Sequence, residues 1–459
     1  MSLILNALKS HSGQSVALIG DKVSLTYSEL IAAIDMRAQE LQAANVSVFA
    51  IALDNGVDWI VWDLACVKAS IPCIPIAPFM SEEQRDHVLK SAGVTHMITP
   101  SGLTFKVYFQ DNNLPSGTAK ITYTSGTTGT PKGVCLSQDG MEQVAASLIK
   151  ILGTDLAKRH LCVLPLAILL ENIAGVYATL LAGGTIYVPS LITIGFKNVF
   201  QPDFKALARY MAQQKITSVI MVPEILRGII HTGAYFPDLE FLAVGGSKIS
   251  PELIGEAREF GFPVYEGYGL SECASVVSLN TPQHDKAGSV GCVLPHIQLS
   301  EENGEIIIKN PAFLGYVGEK HSGDFPTGDL GHIDHEGFLH IDGRKKNVLI
   351  TSYGRNISPE WVESVLLSRS EIAQAVIYGD AKAYLSALIV PAYVGANIEK
   401  AIESANTSLP EYAHIKAFQI VAPFHSANKT LTATGRPRRE IIFNINHSIM
   451  TQENSHESI

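Results

Sequence analysis

The sequence predicts an α/β protein. A large N-terminal region of layered α/β subdomains with a β-rich part precedes a small C-terminal α+β domain. Three observations carry this. Strand-like apolar runs alternate with helix-period segments through the first hundred residues and again beyond residue 140. After about residue 286 the texture changes to short strands separated by Gly and charged turns, the pattern of antiparallel hairpins. From Lys345 onward a smaller unit has a helix and strands of its own. At roughly 150 residues per domain, 459 residues fit such a division. The expected boundaries are 1–342 and 343–459, with a break near 345–346.

Each element has a local reason. Thr26 and Glu29 form a capping box, and Leu30, Ile34 and Leu41 follow at helical spacing. The run at 46–53 is strand-like, 56–70 helical, 71–78 extended and 81–93 helical. Residues 216–223 and 241–246 read as strands, 224–232 and 251–261 as helices. GEIIIKN (304–310) and GHIDHEGFLHIDGR (331–344) are hairpin strands. The C-terminal unit has a helix at 359–368, strands at 373–379 and 385–393, and a polar tail from His447 that is expected to fray.

Composition excludes several classes. The formal net charge of −10 gives no broad positive surface for nucleic acid, and Arg436, Arg438 and Arg439 form only one short run. The six cysteines show no metal-ligand spacing and sit in apolar stretches, as expected of buried thiols in a reducing cytoplasm. MSLILNALKSHSG lacks the basic start and full apolar core of a secretory leader. Residues 172–196 carry no charge and are long enough to span a bilayer. Gly183-Gly184 and Pro189 interrupt them, so a buried helix–turn–strand is expected rather than membrane insertion. His332, His335 and His340 fall along a hairpin and read as structural, and Trp62 reads as core.

The strongest chemical signal is ITYTSGTTGTPKGVCLS, 121–137. A β-branched strand runs into a loop of hydroxyl residues and glycines ending in Lys132. Glycines let the backbone approach an anion, amides and hydroxyls donate to phosphate oxygens, and lysine adds a cation. The spacing is not that of a Walker A loop. TSGTTGTPKG resembles the phosphate loop of the adenylate-forming superfamily: acyl-CoA synthetases, adenylation domains and luciferases. GYGLSE (267–272), GSVG (288–291), TGD (327–329), GRKKNVLITSYGRNISPEWVE (343–363) and LTATGRPRRE (431–440) follow in the superfamily's order.

The resemblance implies ATP-dependent activation of a carboxylic acid to an acyl-adenylate, with pyrophosphate released. Transfer to a phosphopantetheine thiol follows, on coenzyme A or on an acyl carrier protein. It implies that Thr124, Ser125, Gly126, Thr127, Thr128, Gly129 and Lys132 hold the leaving phosphates. Glu272 and Thr128 would give oxygen ligands to Mg²⁺. Tyr268 would stack on adenine with Gly269 beside it, and Ser271 would bond the α-phosphate. Asp329 and Arg344 would hold the ribose, and Gly245, Gly246 and Ser247 would line a floor shared by adenine and acyl group. The C-terminal domain is implied to be a mobile lid turning at Lys346 and bringing Gly354 and Arg355 to the thiol arm. Lys132, Glu272 and Arg436 are the implied catalytic groups.

Two departures stand out. The superfamily's C-terminal motif ends Gly-Lys, whereas Arg436 stands here, and Arg is longer, planar and forked. Arg436 takes the lysine's role, or Lys429 does, or adenylation is slow; a non-catalytic nucleotide or acyl binder is the remaining alternative. The second departure is LPLAILLENIAG (164–175), an apolar wall with Ile168 where long-chain relatives carry a polar or aromatic residue. No Asp stands there to hold an α-ammonium, which argues against amino acids. Gly269 replaces the bulky residue that closes the tunnel of short-chain relatives. At ~0.8 kcal/mol per methylene, an open tunnel favours a medium or long chain over acetate by about 5 kcal/mol for six carbons. An aryl acid also fits a flat apolar slot.

Overall fold

The computed structural model describes residues 2–105, 114–124, 131–196, 202–425, 428–432 and 435–452. Two large sheets build the N-terminal region. In the nine-stranded sheet, Val264–Tyr268, Phe241–Val244, Ser218–Met221, Arg159–Leu161, Thr185–Tyr187 and Val16–Ile19 run parallel side by side, with antiparallel strands at both edges. The eight-stranded sheet has Thr118–Thr124, Cys73–Pro75, Phe49–Ile51 and His96–Thr99 parallel at its centre. Parallel strands buried on both faces read as continuous apolar runs, which is how Phe49–Ile51, Ser218–Met221 and Phe241–Val244 show in the sequence.

One apolar cluster joins the two sheets through the helices Tyr27–Ala43, Val57–Ala69 and Gln138–Leu152. Val57–Ala69 is buried on nearly every side because it lies in that shared layer. The layer also holds an ion pair, Lys120 to Asp63 at 2.8 Å, both 1% exposed. Asn172 and Tyr177 donate to the other Asp63 oxygen, so the buried charges are fully engaged. Removing one partner would cost roughly 3–5 kcal/mol. A second cluster covers the far face of the nine-stranded sheet with Phe204–Gln213, Pro223–Ile230 and Pro251–Glu259.

The capping box forms, with the Thr26 side chain accepting from the Glu29 N–H and the Glu29 carboxylate accepting from Thr26. The uncharged stretch folds as expected. A π-helical turn (Glu171–Tyr177) runs into the helix Ala178–Ala182, and the strand Thr185–Tyr187 follows the Gly183-Gly184 turn. No helix of the described residues is long and apolar enough to cross a membrane. The strands at 46–53 and 71–78 are shorter than expected, Phe49–Ile51 and Cys73–Pro75.

The hairpin region forms an antiparallel sheet of Gln298–Glu302, Glu305–Lys309, Phe325–Ile333 and Leu339–Arg344. Its last strand runs through Arg344, which is still paired to Asp329, and the 3₁₀ turn Lys345–Asn347 follows. Beyond it the small domain packs Pro359–Leu367 and Ile398–Asn406 on a sheet of Ile372–Tyr378, Leu385–Pro391 and Ile415–Ile420. The tail is a correction: the helix Arg439–Gln452 continues past His447, with Ile442 buried in an apolar cluster with Val376, Leu388 and Phe424 and Met450 packed against it.

Candidate active site

Three adjacent parallel strands end together and release the loops that build the site. After Met221 comes Val222, after Val244 come Gly245, Gly246 and Ser247, and after Tyr268 come Gly269 to Glu272. The carboxyl edge of a parallel sheet is where α/β proteins bind ligands, because loops diverge there and leave a crevice. Gly246 takes φ +89°, a conformation that costs glycine nothing. Ser247 is exposed on the same loop.

The β-rich sheet supplies one side of the crevice. Asp329 and Arg344 are cross-strand partners, and Arg344 Nε lies 2.8 Å from Asp329 Oδ1. Arg344 Nη1 also donates to the Thr327 carbonyl at 2.9 Å, which fixes the guanidinium plane. Tyr268 donates its hydroxyl to Asp329 Oδ2. Burial raises the Asp329 carboxyl, and Arg344 and the Tyr268 hydroxyl pull it back. Burial and the Asp329 charge hold the Tyr268 phenol well above its ordinary range, so it remains a donor. The structure therefore brings Tyr268, Asp329 and Arg344 into one contact group. Asp329 is already engaged on both oxygens, where the resemblance implied a carboxylate free for two ribose hydroxyls.

On the other side, Thr124 and Lys132 face each other as cross-strand partners at the two ends of the glycine-rich loop. Ser125, Gly126, Thr127, Thr128 and Gly129 lie outside the described residues. Lys132 Nζ stands 5.2 Å from the centre of the Tyr316 ring, and the Tyr316 hydroxyl donates to Glu272 Oε1 at 3.0 Å. Glu272 is half-buried in the 3₁₀ turn Ser271–Cys273, with Ser271 beside it. A carboxylate tethered through one oxygen, next to a lysine, is a fitting donor for Mg²⁺ alongside phosphate.

The lid reaches this crevice through Arg436, which donates from Nη2 to the Gly246 carbonyl at 2.8 Å. Asp329 and Glu360 lie within its electrostatic reach. Lys429 is exposed, in the turn Asn428–Thr430 of the lid. Lys346 is exposed in the turn after Arg344. Gly354 and Arg355 are also exposed, and their contacts run within the lid: Gly354 N–H to the Thr351 carbonyl, Arg355 over the Tyr412 ring. Those contacts do not join these two to Tyr268, Asp329 or Arg344.

One expectation is overturned. A Cβ on Gly269 would lie 1.5 Å from the Ser275 carbonyl oxygen and 3.0 Å from Val276 Cα. The glycine is there because two backbone segments touch, and it opens no tunnel. The chain-length argument built on it falls.

Three residues escaped the sequence reading. Tyr316 ends a strand in an unremarkable Gly-Tyr pair. Glu360 is the second residue of the helix Pro359–Leu367 and acts on Lys346, Arg436 and Lys248. Lys248 donates to the Ile341 carbonyl at 2.7 Å and faces Glu266, a buried carboxyl that burial pushes up to about 8. None has a local signal, because each acts on residues remote in sequence.

Two histidine groups are structural. His332 and His340 stack across their hairpin at 4.9 Å, and His340 Nε2 pairs with Asp334 at 3.0 Å. His160, Cys162 and Glu171 also converge, all buried. Glu171 takes hydrogen bonds from His160 and from the Val163 and Leu164 N–H groups, and the other His160 nitrogen bonds Ser218. The trio pins the π-helical turn to the sheet.

The chain is similar to known proteins over most of its length. The family described as AMP-binding enzyme matches residues 6–114 and 109–317, and the AMP-binding enzyme C-terminal domain matches 346–443. A 2-succinylbenzoate–CoA ligase of Bacillus subtilis is 26% identical over 411 residues, covering 80% of this chain and 82% of that protein. A long-chain-fatty-acid–CoA ligase of Mycobacterium bovis is 27% identical over 445 residues, covering 77% and 71%. Among solved structures, the Bacillus subtilis o-succinylbenzoate CoA synthetase with its acyl-adenylate superposes with a TM-score of 0.80. It is 23% identical, and the match covers 96% of this chain and 97% of that one.

Proposed function

The chain belongs to the AMP-binding enzyme family, and from that premise we propose that it activates a monocarboxylic acid with an apolar body. It is an acid–thiol ligase of the AMP-forming kind, using ATP, Mg²⁺ and coenzyme A. The observation that carries the reading is the convergence of Tyr268, Asp329 and Arg344 with Arg436 on the Gly246 floor, at the carboxyl edge of the parallel sheet. Such a crevice holds a nucleoside on one side and a carboxylate on the other.

The residues divide the work. Tyr268 offers a flat face beside a ribose bound at Asp329 and Arg344. Arg436 sets a cation over the floor, where it orients the acid carboxylate toward the α-phosphorus. The carboxylate oxygen bonds to phosphorus while the bond to the departing pyrophosphate breaks. Lys132 and the loop before it stabilise the charge that builds on the leaving group. Glu272, with Thr128, would hold Mg²⁺, which when bound neutralises charge on the phosphate oxygens. In the second step a thiolate attacks the acyl carbonyl and AMP leaves. Rotation of the lid about Lys346, bringing Gly354 and Arg355 inward, accounts for how one crevice serves both steps.

The apolar character of the acid rests on the wall 164–175, where Pro165, Ala167, Ile168 and Leu170 are half-buried; most of 172–196 is packed in the core. Ile168 packs half-buried against the apolar cluster there. An ammonium or second carboxylate placed against such a wall would lack a partner. Fatty and aryl bodies both satisfy this chemistry. The fatty reading has its own support in the long-chain ligase; 2-succinylbenzoate has an aryl ring but also a second carboxylate, so that relative supports the ring and not the single carboxylate.

The test is acid-dependent exchange of labelled pyrophosphate into ATP, across fatty, aryl, amino and dicarboxylic acids. Exchange with apolar monocarboxylates is expected; exchange with none of the acids overturns the reading. Offering coenzyme A and a phosphopantetheinylated carrier protein side by side then identifies the thiol acceptor.

A further inference from the structure

We propose that Tyr316 is a positioning residue for the metal-binding carboxylate, locking Glu272 through its hydroxyl and bounding Lys132 with its ring. This deepens the reaction assigned above and rests on that reading. The register of two strands creates the arrangement. Phe313–Tyr316 pairs antiparallel with Lys132–Ser137, and Tyr316 stands opposite Val134, two residues along from Lys132. That diagonal offset brings a long side chain on one strand against the ring on the other. The Lys132 ammonium accordingly lies 5.2 Å from the ring centre, within cation–π range.

The other end of Tyr316 meets a loop far away in sequence. Its hydroxyl donates to Glu272 Oε1 at 3.0 Å. Phe313 packs edge-to-face on the ring at 4.8 Å and limits its rotation. With Oε1 engaged, Oε2 is left to face a cation. Hydrogen bonds to a ligating group fix its orientation, and losing one typically costs about 10-fold or more in metal affinity. One tyrosine thus links the lysine that meets the leaving phosphates to the carboxylate that meets their counter-ion.

The test reads metal binding apart from turnover. Mn²⁺, a paramagnetic substitute, is titrated into the full-length protein with a non-hydrolysable ATP analogue and no acid, and free Mn²⁺ is followed by electron paramagnetic resonance. Tyr316→Phe keeps the ring and removes the donor. It should weaken Mn²⁺ binding about 10-fold, while Tyr316→His, which retains an N–H donor, recovers part of the loss. Metal-free analogue binding and the thermal unfolding midpoint should stay at parent values. In a Glu272→Gln background, Tyr316→Phe should have no further effect. Parent-like Mn²⁺ affinity in Tyr316→Phe overturns the proposal. If that variant does not fold, the comparison passes to Tyr316→Leu against Tyr316→His, and equal affinities overturn it. A parent protein that binds no Mn²⁺ with the analogue overturns the reaction reading itself, an outcome distinct from the failure of Tyr316 alone.

Discussion

Arg436 and Gly246 are 190 positions apart, and the guanidinium of the first donates to the carbonyl of the second at 2.8 Å. The contact sets a lid cation on the crevice floor, beside Asp329 and Glu360. Arg436→Ala removes both the contact and the charge. A hydrogen bond involving a charged group is worth roughly 1.5–3 kcal/mol, so acid-dependent pyrophosphate exchange should fall about 10- to 100-fold. Arg436→Lys keeps the charge without the fork and should retain part of the rate. Unchanged exchange in the alanine variant would take Arg436 out of the mechanism.

The motifs that carry the family resemblance, rather than any spacing, named the crevice residues in advance. Asp329 and Arg344 were put at one sugar by that resemblance, and the fold makes them cross-strand partners. The capping box at Thr26 and the glycine-broken stretch at 172–196 were legible from their own local residues. Contacts between remote segments were not. The Tyr316–Glu272 bond depends on the register of Phe313–Tyr316 against Lys132–Ser137, and no periodicity encodes it. Gly269 misled because a glycine that leaves room for a ligand and one that lets two backbones touch look the same in sequence.

Gly269→Ala tests that second reading. A methyl group 1.5 Å from the Ser275 carbonyl oxygen and 2.5 Å from its carbon forces backbone to move. Overpacking of this kind costs about 1–3 kcal/mol or more, and here it also displaces Tyr268 and Ser271 on either side. Urea denaturation should show the loss, with nucleotide affinity falling in parallel. Gly269→Trp should then abolish activity with every acid rather than shift it toward short ones. A stable Gly269→Trp enzyme with an altered chain-length profile would restore the tunnel.

Glu266 makes stability depend on pH. Burial pushes its carboxyl from an ordinary 4.5 up to about 8, with Lys248 and the Ile249 N–H opposing the shift. The native state therefore holds a proton that the unfolded chain releases across that window. The unfolded chain binds fewer protons there, so this group's contribution to stability falls as pH rises from about 4.5 to about 8 and is lowest above it. Glu266→Gln removes the titration. It should stabilise the protein by a few kcal/mol near pH 8 and leave it little changed near pH 5, an order-of-magnitude figure from 1.36 kcal/mol per pKa unit. Parallel pH–stability curves for parent and variant would show that Glu266 is ionised in the fold.

The turn Lys345–Asn347 joins the last strand of the β-rich sheet to the lid, and it separates the two half-reactions if the lid rotates there. Lys346→Pro fixes φ near −65°, a value the 3₁₀ turn already adopts, so the arrangement with Arg436 on the floor should survive. Proline also disfavours the helical region for Lys345, which takes some stability from the turn. Pyrophosphate exchange should therefore stay within about threefold of the parent, while thioester formation from supplied acyl-adenylate and coenzyme A falls at least tenfold, because only the second step needs the rotation. The two rates are measured separately, by isotope exchange and by thiol consumption. An equal fall in both would mean that the lid turns at some other position, and an equal survival of both would mean that thiol transfer needs no rotation at Lys346.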